Sequence, residues 1–159
     1  MKDVIFVNDN SISKSECDHL IKLFEADGST HSWLDYQVMT INALVDKKTS
    51  DIILKVARQS SYKVQWCEIA KRPPGSGHPK HFDDTSNKTV FSSVTYLNDD
   101  FAGGKTYFVN DFEVTPKTGR TLYFDGQHYE HGVTEVKDSD RYTLAIWYFN
   151  PFEEKTLLE

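Results

Sequence analysis

The sequence predicts a mainly β domain, α+β in class, in which two helices lead a sandwich or barrel-like jelly roll. Three observations carry this. Helical periodicity is confined to the first third of the 159 residues. After Ser60, short apolar or aromatic runs alternate with turn chemistry. Hydrophobic residues make up 38% and aromatics 13%, a globular and strand-rich composition that excludes a disordered chain.

The elements follow in order. Ser13 with Glu16 fits a capping box, and Ile12, Leu20, Ile21, Leu23 and Phe24 form a helical stripe that Gly28 closes. A second helix is expected from Thr49 to Gln59, with Ile52, Ile53, Val56 and Ala57 as its apolar face. Strands are then read in YKVQWCEIA, TVFSSVTYL, KTYFV, RTLYF, HGVTEV and RYTLAIWYF, separated by the turn segments PPGSG, NDDFAGG, PKTG and KDSD. In the last strand, Tyr142, Leu144, Ile146 and Tyr148 share one apolar face that wants burial under the helices. Arg141, Thr143, Ala145 and Trp147 share the other, which opens on a charge, as a strand facing a cavity would. No repeat or linker interrupts the pattern, so residues 1–159 are read as a single domain.

Charge and cysteine usage narrow the partners. A net charge of −6 argues against a nucleic-acid binder. Cys17 and Cys67 make no disulfide framework and are expected as free thiols in a reducing compartment. MKDVIFVNDN lacks a signal-peptide apolar run, and no apolar stretch approaches the ~20 residues of a membrane span. The expected location is cytoplasmic, the host's cytoplasm for a viral chain, with no membrane partner.

The chemistry-bearing stretch is HPKHFDD, residues 78–84. In extended backbone His81 and Asp83 project to one side while Phe82 projects the other way, into packing. A third ligand must come from elsewhere. Of the six histidines, His19 reads as a surface residue, His31 as a bland residue of a polar turn, His78 as a pocket-mouth or solvated loop residue, and His128 as a turn residue. His131 opens a strand, where a ligand is held rigidly. His81, Asp83 and His131 would supply the two imidazoles and one carboxylate of a non-haem iron(II) facial triad. Such spacing also arises by chance. Arg141, ten residues after His131 on an inward-facing strand, adds a guanidinium able to hold a carboxylate; the alternative is a structural salt bridge with one of the 24 acidic residues.

HFD at 81–83, SSVTYLNDDFAGGKTYF at 92–108, HGVTEVKDSDRYTLAIWYF at 131–149 and the earlier ISKSECDHLIKLFE at 12–25 together resemble the iron(II)/2-oxoglutarate-dependent oxygenases, and within them the prolyl hydroxylases. The resemblance spans nearly the whole chain. It implies a double-stranded β-helix with N-terminal helices packed on one sheet and iron at an open end. It also implies metal ligands at His81, Asp83 and His131, and Arg141 on the distal carboxylate of 2-oxoglutarate with Tyr96 beside it. Thr106, Thr143 and Trp147 are placed to line the pocket or to be plain core. The branch usually carries a tyrosine nine or ten residues before its H-x-D; here those positions are Lys71 and Arg72.

The implied activity is that of a dioxygenase, an oxidoreductase using iron(II), 2-oxoglutarate and dioxygen, with ascorbate as a candidate reductant. It would hydroxylate a C–H bond and release succinate and carbon dioxide. By analogy with the branch, the expected substrate is a prolyl residue of a peptide or protein; a free amino acid or a lysyl side chain is the alternative. The glycines of RPPGSGHPK, residues 72–80, would let that segment hinge over a peptide, unless it is a rigid connector. Nucleic-acid dealkylases of this scaffold carry an arginine six residues after the co-substrate arginine, where this chain has Trp147. The rival from outside enzymology is a jelly-roll module that binds a metal without turnover. Oligomeric state has no sequence signal.

Overall fold

The computed structural model describes residues 5–27, 31–33, 35–41, 46–83, 89–109 and 112–150. The chain runs β1 (Ile5–Asn8), α1 (Lys14–Ala26), β2 (His31–Trp33), β3 (Tyr36–Ile41), α2 (Lys47–Ala57), β4 (Lys63–Arg72), β5 (His78–His81) and β6 (Thr89–Tyr96). It continues through β7 (Ala102–Gly103), β8 (Thr106–Phe108), β9 (Glu113–Val114), β10 (Thr121–Phe124), β11 (His131–Val133), β12 (Val136–Lys137) and β13 (Arg141–Phe149). Seven strands form a major sheet in the order β1-β10-β6-β13-β4-β3-β2, four form a minor sheet β5-β11-β8-β9, and β12 pairs with β7. Every strand pairing is antiparallel. This is the double-stranded β-helix, or jelly roll, that the resemblance implies.

Two apolar clusters hold three layers together. The first joins Leu20 and Phe24 of α1 and Ile52 and Val56 of α2 to Ile69, Leu144, Ile146 and Tyr148 of the major sheet. The second, with Tyr96, Phe108, Leu122 and Phe124, fills the space between the two sheets. The alternation in β13 therefore works as read: one face is sealed by the helices, the other faces the cavity.

Local chemistry sets the element ends. At α1, Ser13 and Glu16 make the full capping box, the Ser13 hydroxyl accepting from Glu16 N–H and the Glu16 carboxylate from Ser13 N–H. The helix ends at Ala26, and Gly28, expected to close it, lies outside the described residues. Helix α2 starts at Lys47 instead of Thr49, because the Asp46 carboxylate accepts the Thr49 N–H at 2.9 Å and caps the helix two residues earlier; it stops at Ala57. His19 joins the helices through Thr49 Oγ1 at 2.9 Å.

Four corrections bear on the site. Strands β1, β2, β3, β5, β7 and β9 escaped the sequence reading, β7 within the NDDFAGG segment read as a turn; each is short, and pairing with a neighbour holds it in place. His31 thus lies on a strand. HGVTEV is two strands, β11 paired with β5 and β8 and β12 with β7, since Val136 N–H turns to Ser76 O and Gly75 N–H to Val136 O. Those bonds, with Ser76 N–H to Pro73 O and Ser76 buried, make PPGSG a rigid connector. Finally, Phe82 does not enter packing; it is 49% exposed, because β5 is the edge of the minor sheet and its outer side meets solvent. Cys17 and Cys67 are buried free thiols, both pushed up to about 11 by burial. No helix among the described residues is long and apolar enough to cross a membrane.

Because β13 separates the apolar cluster from the cavity, loss of volume on its helix-facing side should act on stability alone. Ile146→Ala, at a fully buried position, should cost about 2–5 kcal/mol. Denaturant unfolding would measure this, with metal affinity of the folded protein unchanged.

Candidate metal centre and co-substrate pocket

Strand pairing builds the centre. In the minor sheet His131 is the register partner of His81, so two imidazoles stand side by side with ring centroids 4.4 Å apart. Asp83, just past the end of β5, folds back beneath them. Its N–H donates to Gly126 O at 2.8 Å, and Gly126 lies so close that an added Cβ would fall 1.9 Å from Asp83 Oδ2. Only glycine leaves room for this carboxylate. The Ser92 hydroxyl of β6 donates to the same Oδ2. Asp83 Oδ1 is left facing His131 Nε2 at 3.2 Å and His81 Nε2 at 3.8 Å.

Second contacts fix the tautomers. His81 Nδ1 lies 3.0 Å from Pro79 O, and His131 Nδ1 2.8 Å from Tyr129 O. A carbonyl can only accept, so each Nδ1 carries the proton and each Nε2 presents a lone pair. Burial pulls His81 below its ordinary range, which keeps it neutral. Burial pushes the Asp83 carboxyl up, but the neighbouring His131 and the hydrogen bond from the Ser92 hydroxyl outweigh this and hold it below the usual range, as an anion. One ligand atom from each residue lies within 4.8 Å of the others, with no proton among them in these tautomers. Such a cluster is repulsive until a cation enters, and two imidazoles with one carboxylate suit iron(II). The residues present fit that metal.

Arg141 forms the pocket floor. It is 3% exposed, its Nε donates to Gly104 O at 2.8 Å and its Nη2 points at Thr106 Oγ1 at 3.4 Å. Gly104 holds φ +62°, and a Cβ there would press on the Arg141 side chain at 3.1 Å. The Tyr96 and Thr106 hydroxyls are 2.6 Å apart, and the Tyr96 ring centroid is 5.4 Å from Arg141 Cζ. Burial draws Arg141 down to about 10, still protonated at neutral pH. Among the described residues no carboxylate pairs with it in a structural salt bridge.

All the sequence-predicted site residues but Tyr96, which is fully buried behind the wall, line one pocket: His81, Asp83 and His131 at its rim, Arg141 and Thr106 at its floor, Thr143 and Trp147 along β13. Tyr96 joins through Thr106. His128 does not; it pairs with Asp125 at 2.6 Å and is largely exposed. His78 lines the pocket without joining the donors, its ring 4.2 Å from that of His81. Of the pair replacing the branch's tyrosine, Arg72 enters the pocket while Lys71 turns away to Glu25 at 3.0 Å. Sequence reasoning missed Gly126, Gly104, Ser92 and Tyr36. The Asp-Gly before His128 looked like an ordinary turn, and nothing local tells a glycine that shapes a turn from one that admits a carboxylate.

A facial donor set at the open end of a jelly roll, above a buried guanidinium, defines a mononuclear non-haem oxygenase centre. Residues 67–149 match the 2OG-Fe(II) oxygenase superfamily, and the chain belongs to that family. A stretch is 37% identical over 65 positions to prolyl 3-hydroxylase 1 of Gallus gallus and 40% identical to prolyl 3-hydroxylase 3 of Homo sapiens. It covers 36% of this chain and only 9% of the length of either relative. The fold is similar to that of the viral collagen prolyl hydroxylase of Paramecium bursaria Chlorella virus-1, with TM-score 0.75 and 19% identity over 92% of this chain and 95% of that one. It also resembles a Pseudomonas putida prolyl-4-hydroxylase, with TM-score 0.74 and 17% identity over 93% of each chain. A Trichoplax adhaerens prolyl hydroxylase, solved with a hypoxia inducible factor peptide, gives TM-score 0.77 and 18% identity over 98% and 87%.

Gly126→Ala should expel the Asp83 carboxylate and lower metal affinity about 10–100-fold, the range seen when a ligand's support is lost. Manganese(II) titration measures this, with circular dichroism expected to show the native fold. His131→Ala should abolish binding, whereas His128→Ala should leave it intact.

Proposed function

We propose that this protein is an iron(II)- and 2-oxoglutarate-dependent hydroxylase of a prolyl residue in a peptide or protein. Membership of the oxygenase family supports the reaction class. The prolyl part rests on the partial identity to prolyl 3-hydroxylases and the likeness of fold to prolyl hydroxylases. The observation that carries the reading is Arg141, a buried cation with no carboxylate partner among the described residues, in the pocket that holds the three donors.

Iron(II), held by His81, Asp83 and His131, would supply the dioxygen activation that splits 2-oxoglutarate to succinate and carbon dioxide and oxidises a C–H bond. The chain's own groups do the rest. Arg141 binds the distal carboxylate of the co-substrate through charge-assisted hydrogen bonds. Thr106 and Tyr96 orient that guanidinium, and the Tyr96 hydroxyl supports the same carboxylate. Thr143 and Trp147 bound the chamber and exclude water. Asp83 fills a coordination position that relatives with a small residue there leave to halide, so the outcome is hydroxylation.

Aerobic incubation with iron(II), ascorbate and labelled 2-oxoglutarate should release labelled succinate. A proline-containing peptide library should then gain the mass of one oxygen atom on proline. A protein that binds metal but yields no succinate would be the non-catalytic module. Asp83→Ala should fold normally and lose turnover.

Loss of Arg141 should act on the co-substrate. A shielded charge-assisted pair contributes roughly 1.5–3 kcal/mol, so Arg141→Ala should weaken 2-oxoglutarate binding about tenfold to a hundredfold. Arg141→Lys should recover part of it, keeping the charge and losing the fork. An alanine variant that binds 2-oxoglutarate normally but melts far lower would make Arg141 a packing residue.

A further inference from the structure

The pocket holds a second buried guanidinium. Arg72 ends β4, and its register partner across the sheet is Arg141. Antiparallel partners project to one face, so both arginines enter the same cavity, which also takes in Tyr36, His78, His81 and Asp83. Arg72 is only 7% exposed. Taking one guanidinium out of water costs several kcal/mol unless an opposite charge meets it, and two side by side also repel.

Among the described residues no ion pair meets that charge; Asp35 and Glu68 act on it only from beyond ion-pair range. Arg72 Nη1 donates to Gly77 O at 3.0 Å and Nη2 to His78 Nδ1 at 3.3 Å, both neutral acceptors. Its Cζ stands 3.7 Å from the centroid of the Tyr36 ring, a stacked arrangement that fixes the guanidinium plane. Nε is buried with no hydrogen-bond partner. Among the described residues no carboxylate comes within ion-pair range. Glu68, four residues back on the same strand, accepts the Trp66 indole N–H at 3.2 Å. The connector carrying Gly77 is itself tied down through Ser76 and Val136, so the guanidinium is held from behind by rigid structure. An orphaned buried cation fixed this way is a preorganised anion site.

The co-substrate does not use it. In the reading above, one carboxylate of 2-oxoglutarate goes to the metal and the other to Arg141. Iron(II), Asp83, Arg141 and the dianion together are charge-neutral, which leaves Arg72 with only the more distant carboxylates of Glu68, on the same pocket wall, and Asp35. Arg72 touches His78, whose ring lies 4.2 Å from that of the metal donor His81. Arg72 therefore sits one imidazole away from the metal donors, on the wall of the same pocket.

We propose that Arg72 is a specificity residue that binds a carboxylate carried by the hydroxylated substrate close to its reacting carbon. The inference rests on the hydroxylase reading and narrows it to anionic substrates. The carboxylate can be the end of a peptide, an acidic side chain next to the target residue, or the α-carboxylate of a free amino acid.

Matched pairs separate these sources. Protein loaded with manganese(II) and 2-oxoglutarate, without oxygen, is titrated calorimetrically with Gly-Ala-Pro and its amide, and with acetyl-Gly-Asp-Pro-Gly amide and its Asn counterpart. L-Proline with L-prolinamide, and L-lysine with L-lysinamide, complete the set. The expected result is that the carboxylate member of at least one pair binds about tenfold tighter or more. Arg72→Gln should shrink that preference to within about threefold, and Arg72→Lys should give an intermediate value. The affinity for 2-oxoglutarate should stay unchanged in both. The pair that shows the preference names the source.

A preference that survives Arg72→Gln and Arg72→Lys overturns the proposal and makes Arg72 a packing residue. Loss of 2-oxoglutarate affinity in both variants overturns it in favour of a second co-substrate anchor. Absence of any Arg72-dependent preference overturns it too, even where the succinate assay upholds the oxygenase reading. An Arg72-dependent preference confined to the lysine pair keeps the anion site and removes proline as the target.

Discussion

Three lone-pair donors that repel one another are held together at the mouth of this jelly roll, and much of the surrounding structure is what keeps them there. Repulsion of this kind persists only where the scaffold over-determines it. Here the scaffold acts largely through contacts between segments far apart in the sequence. The β5–β11 pairing sets the imidazoles side by side, and two backbone carbonyls choose their tautomers. Ser92 and Gly126 leave Asp83 one place to go. Metal binding and folding are therefore linked: a cation relieves the repulsion that the sheets impose and in doing so stabilises them.

Below that rim the pocket is unusual for its charge. Arg72 and Arg141 are register partners that meet neutral oxygens, an imidazole or an aromatic face, and no described carboxylate within ion-pair range; Arg72 Nε has no hydrogen-bond partner among the described residues. A protein that needed these residues only for packing would do better with apolar ones of similar volume. Two unneutralised guanidiniums make sense in a cavity whose ligands bring the negative charge with them.

Much of this was legible in the sequence, for identifiable reasons. The donors and Arg141 could be read because strand periodicity places i and i+2 together and because β13 alternates cleanly between apolar and polar residues. The helices could be read from their stripes and caps. What escaped depends on long-range geometry. β3 is defined by pairing with β4, and its Tyr36 reaches Arg72 only across that pair. Gly126 matters through a residue 43 positions earlier, and its own neighbourhood reads as a turn. Phe82 was assigned to packing by alternation alone, which cannot tell an edge strand from a covered one.

The place of β13 in the sheet has a consequence for how the molecule comes into being. This is the last described strand, yet it lies between β6 and β4 at the middle of the major sheet. Until synthesis has passed residue 149, β4 with β3 and β2 on one side, and β6 with β10 and β1 on the other, have no common partner. The nascent chain thus carries two half-sheets with open edges, and its closing step is the insertion of one strand between them. Such non-local assembly is slow and leaves the intermediate open to pairing with other chains. The same strand brings in Arg141, so the pocket cannot acquire its floor before the fold is complete.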